Sequence, residues 1–185
     1  AAFLALDAKF KAFVGGFGSG KTWVGCGGIG QHFYQWPKVP AGYFAPTYPQ
    51  IRDIFYPTVE ESLFDWGLRT RVRVANHEVE VYRGRTYMGQ ILCRSMEDPG
   101  SSVGFKIGHA LTDEIDTMAP AKAADAWRKI IARMRWQGPI PAPPGFIQGQ
   151  VDVTTTPEGF LFMHRQFVQR IREKPELSRL YGPVQ

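Results

Sequence analysis

A chain of 185 residues with 44% hydrophobic and 14% aromatic content is long enough to bury one core and short for two full domains. No run of about 18 or more apolar residues occurs, which excludes a bilayer-spanning helix, and the start AAFLALDAKF lacks the basic opening and cleavage site of a secretion signal, so a cytosolic setting is expected. The net charge of +5 is uneven: residues 1–120 carry 12 basic and 12 acidic side chains and residues 121–185 carry 10 and 5, a bias in the last third that suits a polyanionic partner such as nucleic acid.

In chain order, FKAFV is a buried strand running into a glycine-rich turn, and TWVGCGGIGQHFYQW is the helix that follows. Its glycines, Gly25, Gly27, Gly28 and Gly30, each cost a helix about 1 kcal/mol relative to alanine, so small residues are needed where it packs closely on a sheet. AGYFAPTYP reads as a second strand ending at Pro46, and QIRDIFYPTVEESLFDWG as an interrupted helix stopped by Gly67. RTRVRVANHEVEVYRG alternates on both sides of Asn76 and His77, which marks a hairpin with one wet face and makes His77 a turn residue. TYMGQILCRS is another strand, and FKIGHALTDEID an apolar strand ending in carboxylates. PAKAADAWRKIIARMRW follows with helical period and Pro120 in its first turn. QGPIPAPPGFIQGQ reads as a long irregular loop, VDVTTTPEG as a last strand and turn, and FLFMHRQFVQRIREK as a last helix. Strands separated by helices, with one β-hairpin inserted, predict an α/β fold around a mostly parallel sheet. Cys26 and Cys93 lie far apart with no C-x-x-C, and read as reduced, buried small hydrophobes.

The turn after the first strand carries the chemistry. Gly15, four residues, then Gly20, Lys21 and Thr22 satisfy G-x-x-x-x-G-K-S/T, with the strand before and helix after that the pattern requires. Glycines let successive backbone N–H groups curl around phosphate oxygens, and the new helix adds its positive end. The expected nucleotide contacts are Gly15, Gly16, Phe17, Gly18, Ser19, Gly20, Lys21, Thr22 and Trp23. Lys21 would neutralise the β- and γ-phosphates and the Thr22 hydroxyl would face Mg²⁺.

ALTDEID supplies the other half. Asp113, at a strand end, is a second expected Mg²⁺ holder, and Glu114 is placed to orient or deprotonate an attacking water. A water-activating carboxylate points to ATP hydrolysis rather than phosphoryl transfer to another acceptor. Asp116 reads as an outer residue or helix cap. Threonines in TTTPEG, with Thr155 and Thr156 as the expected catalytic contributors beside Glu114 and Lys21, would sense the terminal phosphate or the water.

With GGFGSGKT, ALTDEID and TTTPEG in this order, and APTYPQIRDIFYPTVEESL between the first two, the chain resembles the ATPase domain of the large terminase subunit of tailed bacteriophages over nearly its whole length. The resemblance implies a P-loop NTPase of the RecA-like, catalytic-glutamate class. It also implies a homo-oligomeric ring that uses ATP to drive double-stranded DNA into a procapsid, with portal protein and small terminase subunit as partners in the infected host's cytoplasm. By it Lys21 and Thr22 match the Walker A residues, Asp113 and Glu114 the Walker B pair, and Thr154 to Thr156 the coupling motif. Relatives often carry arginine where this loop has Phe17, and many carry arginine before a glycine where this chain has Val103. Arg133, Arg135 or Lys106 are then the candidates for a transition-state cation, and Arg128 and Lys129 for contacts to DNA. No glutamine of the family's adenine motif precedes Gly15, and no acidic nuclease cluster follows, so 1–185 is expected to be a single ATPase domain truncated at both ends. Two other readings stay open: a different ring-forming, helicase-like translocase, and a nucleotide-switched interaction module with little turnover.

Overall fold

A computed structural model describes residues 2–98, 104–136, 149–159 and 161–184. Five short, buried strands form its parallel centre: β1 (Phe10–Val14), β2 (Ala41–Ala45), the second half of β5 (Thr86–Ser95), β6 (His109–Asp113) and β7 (Gln150–Thr155). All residues of β2 and β6 are buried, as expected of strands covered on both faces. β3 (Arg69–Arg73) and β4 (Glu78–Arg83) form the predicted hairpin, and β3 alternates exposed and half-buried residues. The hairpin extends the sheet instead of standing apart, because the long β5 pairs antiparallel with β4 and parallel with β2. The seven strands run β1-β7-β6-β2-β5-β4-β3.

Strand alternation sends side chains to two cores. On one face Phe10, Val151 and Val153 meet Trp127 and Ile130 of α4 (Pro120–Arg133) and Phe162 of α5 (Phe162–His164). On the other, Tyr43, Ile91 and Leu111 meet Cys26, Ile29 and Phe33 of α1 (Lys21–Gln35) and Leu63 further along the chain. Cys26 and Cys93 are both buried free thiols, as read from the sequence, and burial pushes both up. The close approach expected of the glycine-rich helix is present. A Cβ at Gly25 would stand 2.8 Å from Leu111 Cδ1, and one at Gly28 2.4 Å from Asp152 Oδ2.

The interrupted helix is helical throughout but changes pitch: α2 (Tyr48–Gln50) leads into a π-helical turn (Ile51–Phe55) and then α3 (Tyr56–Asp65). Pro57 explains the change. It has no N–H and its ring collides with the carbonyl four residues back in a regular helix, and a wider turn whose Tyr56 N–H reaches Ile51 O relieves that crowding. The helix stops at Gly67, whose φ of 71° is left-handed. His77 is a left-handed turn residue with φ 53°, stacked on Tyr48. The proline-rich loop expected after Trp136, and Val103, lie outside the described residues. Among the described residues no helix is long and apolar enough to cross a membrane.

Candidate nucleotide site

The glycine-rich loop hangs between β1 and α1, fastened to the sheet by a Gly15 N–H donated to Thr155 O at 3.1 Å. Gly18 and Gly20 take φ values of 72° and 77°, and a Cβ on either would meet nothing within 4 Å. Backbone conformation, not space, requires glycine there. α1 begins directly after Gly20 with no side-chain cap and no acidic residue in its first turn, so its first N–H groups are available to an anion.

Around that loop four predicted residues converge. Thr22 Oγ1 donates to Asp113 Oδ2 at 2.8 Å, and Lys21 Nζ lies 2.9 Å from Glu114 Oε1. Asp113 is nearly fully buried and accepts two further hydroxyl bonds, from Thr154 to Oδ1 at 2.8 Å and from Tyr43 to Oδ2 at 2.9 Å. Burial pushes its carboxyl up, opposed by the Thr154, Thr22 and Tyr43 hydrogen bonds, and the balance stays above the ordinary value. Tyr43 was missed by sequence reasoning, although the hydroxyl of a tyrosine inside a fully buried strand demands a partner.

Glu114 is built differently. It follows the last residue of β6 in a left-handed conformation, φ 54° and ψ 33°, which side chains other than glycine and asparagine rarely adopt. Its own N–H is held by Thr154 O at 2.8 Å, and its carboxylate takes Thr156 N–H at 2.8 Å, Thr156 Oγ1 at 3.1 Å and the Lys21 ammonium. The turn aims the side chain out of the sheet toward the loop. The Thr155 hydroxyl does not join this group. Alternation turns it to the opposite face, where it accepts the Asp116 N–H at 3.1 Å. Asp116 in turn accepts the Met163 N–H at 2.9 Å, the helix-capping role read for it. Three consecutive threonines thus grip Asp113, the turn after Glu114, and Glu114 itself.

A cavity of about 560 Å³ opens over the loop, lined by residues 17–23, by Gln50, Ile54, Thr58 and Glu61 from the 48–65 helical run, and by Glu114 and Thr117. Phe17 is 88% exposed at its rim with the Lys21 ammonium 5.5 Å from its ring centre. Lys21 is the only basic side chain among the described lining residues; Arg133, Arg135 and Lys106 are not among them. Arg128 and Lys129 both pair with Asp125, at 3.2 and 2.6 Å, which offsets part of their charge.

Behind the loop, on the same sheet face, sits a buried group that sequence reasoning also missed. Asp152 Oδ1 lies 3.3 Å from Lys11 Nζ and Asp152 Oδ2 3.4 Å from His109 Nε2, all but excluded from water. Burial alone raises the Asp152 carboxyl, but the His109 and Lys11 partners outweigh it and hold it below its ordinary value. A charge between the two valines of VDVTT, a strand otherwise uncharged, was the available signal, since such a charge needs a partner.

A sequence model of the family described as terminase large subunit, T4likevirus-type, N-terminal, matches residues 12–185. A search of curated protein sequences returns no match. Among solved structures, the large terminase of a thermophilic bacteriophage in complex with ADP superposes with a TM-score of 0.70 at 15% identity, over 91% of this chain and 39% of that one. The large terminase ATPase domain of Thermus phage P74-26 gives 0.55 at 16% identity, over 98% and 90%. The N-terminal domain of the DNA packaging ATPase of bacteriophage phi29 gives 0.55 at 11%, over 83% and 76%. The chain therefore spans well under half the length of the first of these proteins, and the likenesses establish the fold, that of P-loop terminase ATPase domains.

Proposed function

The chain belongs to the terminase large subunit family, T4likevirus-type, N-terminal part, and on that premise we propose that it is a single ATP-hydrolysing motor domain that moves double-stranded viral DNA into a procapsid. The observation that carries the proposal is the convergence of Lys21, Thr156 and Glu114 over an anion-binding loop, with Thr22 on Asp113 beside them. The loop N–H groups and Lys21 bind the β- and γ-phosphates. Thr22 Oγ1 and the Asp113 carboxylate are hard oxygen donors within 2.8 Å of each other, and they fit Mg²⁺. Among the described residues no group of three or more His, Cys, Asp or Glu side chains forms a metal cage, so phosphate oxygens and water would complete the shell. When bound, the ion supplies charge neutralisation across the phosphate bridge.

Glu114 is the base in this reading. A γ-phosphate competes for Lys21 and so releases Oε1 of Glu114, while Thr156 keeps the carboxylate aimed. The carboxylate then takes a proton from a water as its oxygen bonds to the γ-phosphorus and the bridging P–O bond to ADP breaks, leaving ADP and phosphate. Thr155, through the turn that carries Asp116, transmits the state of β7 to α5 and is a positioning residue. The large terminase of the thermophilic bacteriophage has been solved with both ADP and ATP-gamma-S, which supports the nucleotide reading. In this reading the domain works in a homo-oligomeric ring in the host cytoplasm, with the portal protein and small terminase subunit as partners, and membership of the family supports it.

The experiment compares wild type, Lys21→Ala and Glu114→Gln in the assembled, DNA-stimulated state. Lys21→Ala should lose nucleotide binding. Glu114→Gln should keep binding while turnover falls at least about a hundredfold, the usual contribution of a general base. Hydrolysis by Glu114→Gln at the wild-type rate refutes the assignment, and absence of turnover in wild type would favour the nucleotide-switched module instead.

A further inference from the structure

We propose that the nucleoside half of the nucleotide lies in the outer part of the site cavity, against Trp23 and the π-helical turn carrying Ile54, with Glu61 accepting its ribose hydroxyls. This rests on the nucleotide reading above and adds the 48–65 helical run, from which the sequence predicted no nucleotide contact, to the expected contact Trp23.

The first observation is where exposed apolar groups gather. Phe17, Trp23 and Ile54 are 88%, 38% and 47% exposed, and all three line the same cavity. Single exposed apolar residues are ordinary, but three converging on one concave surface form a patch that a flat ring can cover. A cavity of about 560 Å³ falls in the small-molecule range and has room beyond the phosphates.

The second is polarity along the cavity. Lys21 and the loop N–H groups mark the anionic end. Glu61 is exposed and forms no salt bridge among the described residues. It lines the cavity from the helical wall rather than from the phosphate loop, and its carboxylate oxygens are acceptors for the two hydroxyl donors of ribose. Gln50 adds a fixed donor: its Oε1 is held by the Thr47 N–H at 3.1 Å and the Thr47 hydroxyl at 3.2 Å, which leaves its amide N–H groups for a ring nitrogen or ribose oxygen.

The third is rigidity. The wall opposite the loop is the wide turn imposed by Pro57, and the Thr58 hydroxyl donates to Ile54 O at 2.6 Å inside it. The Ser62 hydroxyl donates to Trp23 O at 3.2 Å and joins that helix to the start of α1. Both walls of the subsite are thereby one unit with the phosphate loop, and π turns are enriched at functional sites.

The test titrates ADP, 2′,3′-dideoxy-ADP and inorganic tripolyphosphate, each with Mg²⁺, into wild type, Trp23→Ala, Ile54→Ser, Glu61→Ala and Lys21→Ala by calorimetry, after thermal melting confirms that each variant folds. Trp23→Ala should weaken ADP about tenfold, within the range for removing a ring stacked on a base, and Ile54→Ser should weaken it in the same sense, while both leave tripolyphosphate within about twofold. Wild type should prefer ADP to the dideoxy analogue, and Glu61→Ala should abolish that preference. ADP binding unchanged in both Trp23→Ala and Ile54→Ser, or ADP and tripolyphosphate weakened alike, overturns the subsite. Failure of the nucleotide reading looks different: wild type binds neither probe, or Lys21→Ala binds both as tightly as wild type.

Discussion

Gly27 and Gly28 are adjacent in α1, and replacing each by alanine should move stability in opposite directions. By helix propensity alone either change gains about 1 kcal/mol. A Cβ at Gly27 would meet Leu4 Cδ1 at 3.4 Å, an ordinary contact, so that gain survives. A Cβ at Gly28 would stand 2.4 Å from Asp152 Oδ2, closer than such atoms approach, and the carboxylate must retreat. That oxygen faces His109 at 3.4 Å, and its twin faces Lys11 at 3.3 Å, with all three side chains buried. Breaking a buried ion pair costs about 3–5 kcal/mol, so after the propensity gain Gly28→Ala should lose about 2–4 kcal/mol. For a chain of this length that is a fall of about 4–16 °C in Tm, against a rise of about 2–4 °C for Gly27→Ala. Thermal unfolding followed by far-ultraviolet circular dichroism at neutral pH reads both. A Gly28→Ala protein that melts at or above wild type, or a Gly27→Ala protein that falls as far, refutes the claim that the Asp152 contact sets the helix-to-sheet distance.

Thr154→Val keeps the shape of the side chain but removes one of three hydroxyl bonds to Asp113, and should cost about 1.5–3 kcal/mol in urea unfolding; a loss below about 0.5 kcal/mol would mean that Thr22 and Tyr43 suffice. His32, which faces His109, Asp152 and the Val39 carbonyl, is pushed down by burial from 6.5 to about 3. The unfolded chain therefore takes up this proton first, and stability should fall as pH drops from 6.5 toward 3, by up to about 1.4 kcal/mol per pH unit. His32→Asn should flatten that slope in urea titrations at several pH values, and an unaltered slope contradicts the assignment. Arg165, Arg170 and Lys174, with Gln169 and Glu173, line a cavity of about 610 Å³ on the helical run that follows α5. Charge reversal at Arg165 or Lys174 should weaken duplex DNA binding and reduce its salt slope by about 1. Reversal at Arg128, already paired with Asp125, should do less, and equal effects would make the basic bias a diffuse property of the surface.

The glycine loop and the carboxylates at the end of β6 were legible in the sequence because each is a local demand: glycines where φ is positive, and a strand that ends in acid. The hairpin was legible through its alternation, but its place in the sheet was not, because β5 serves β4 and β2 with different halves of one strand. The partners of Tyr43 and the Lys11–Asp152–His109 group depend on which strands are neighbours, and no period of two or 3.6 encodes the order β1-β7-β6. The π turn was read only as an interruption of the helix that stops at Gly67. Its cause was visible in the sequence, but its consequence for the cavity wall required the fold.

β1, which ends in the loop, and β6, which ends in the carboxylates, share no edge, since β7 runs between them. The amide of Glu114 is tied to Thr154 O and that of Gly15 to Thr155 O, successive carbonyls of that one strand. Any displacement of the end of β7 uncovers both amides together. In hydrogen exchange these two protons, remote in the chain, should therefore leave at one common rate, a clock for the same opening read from either side.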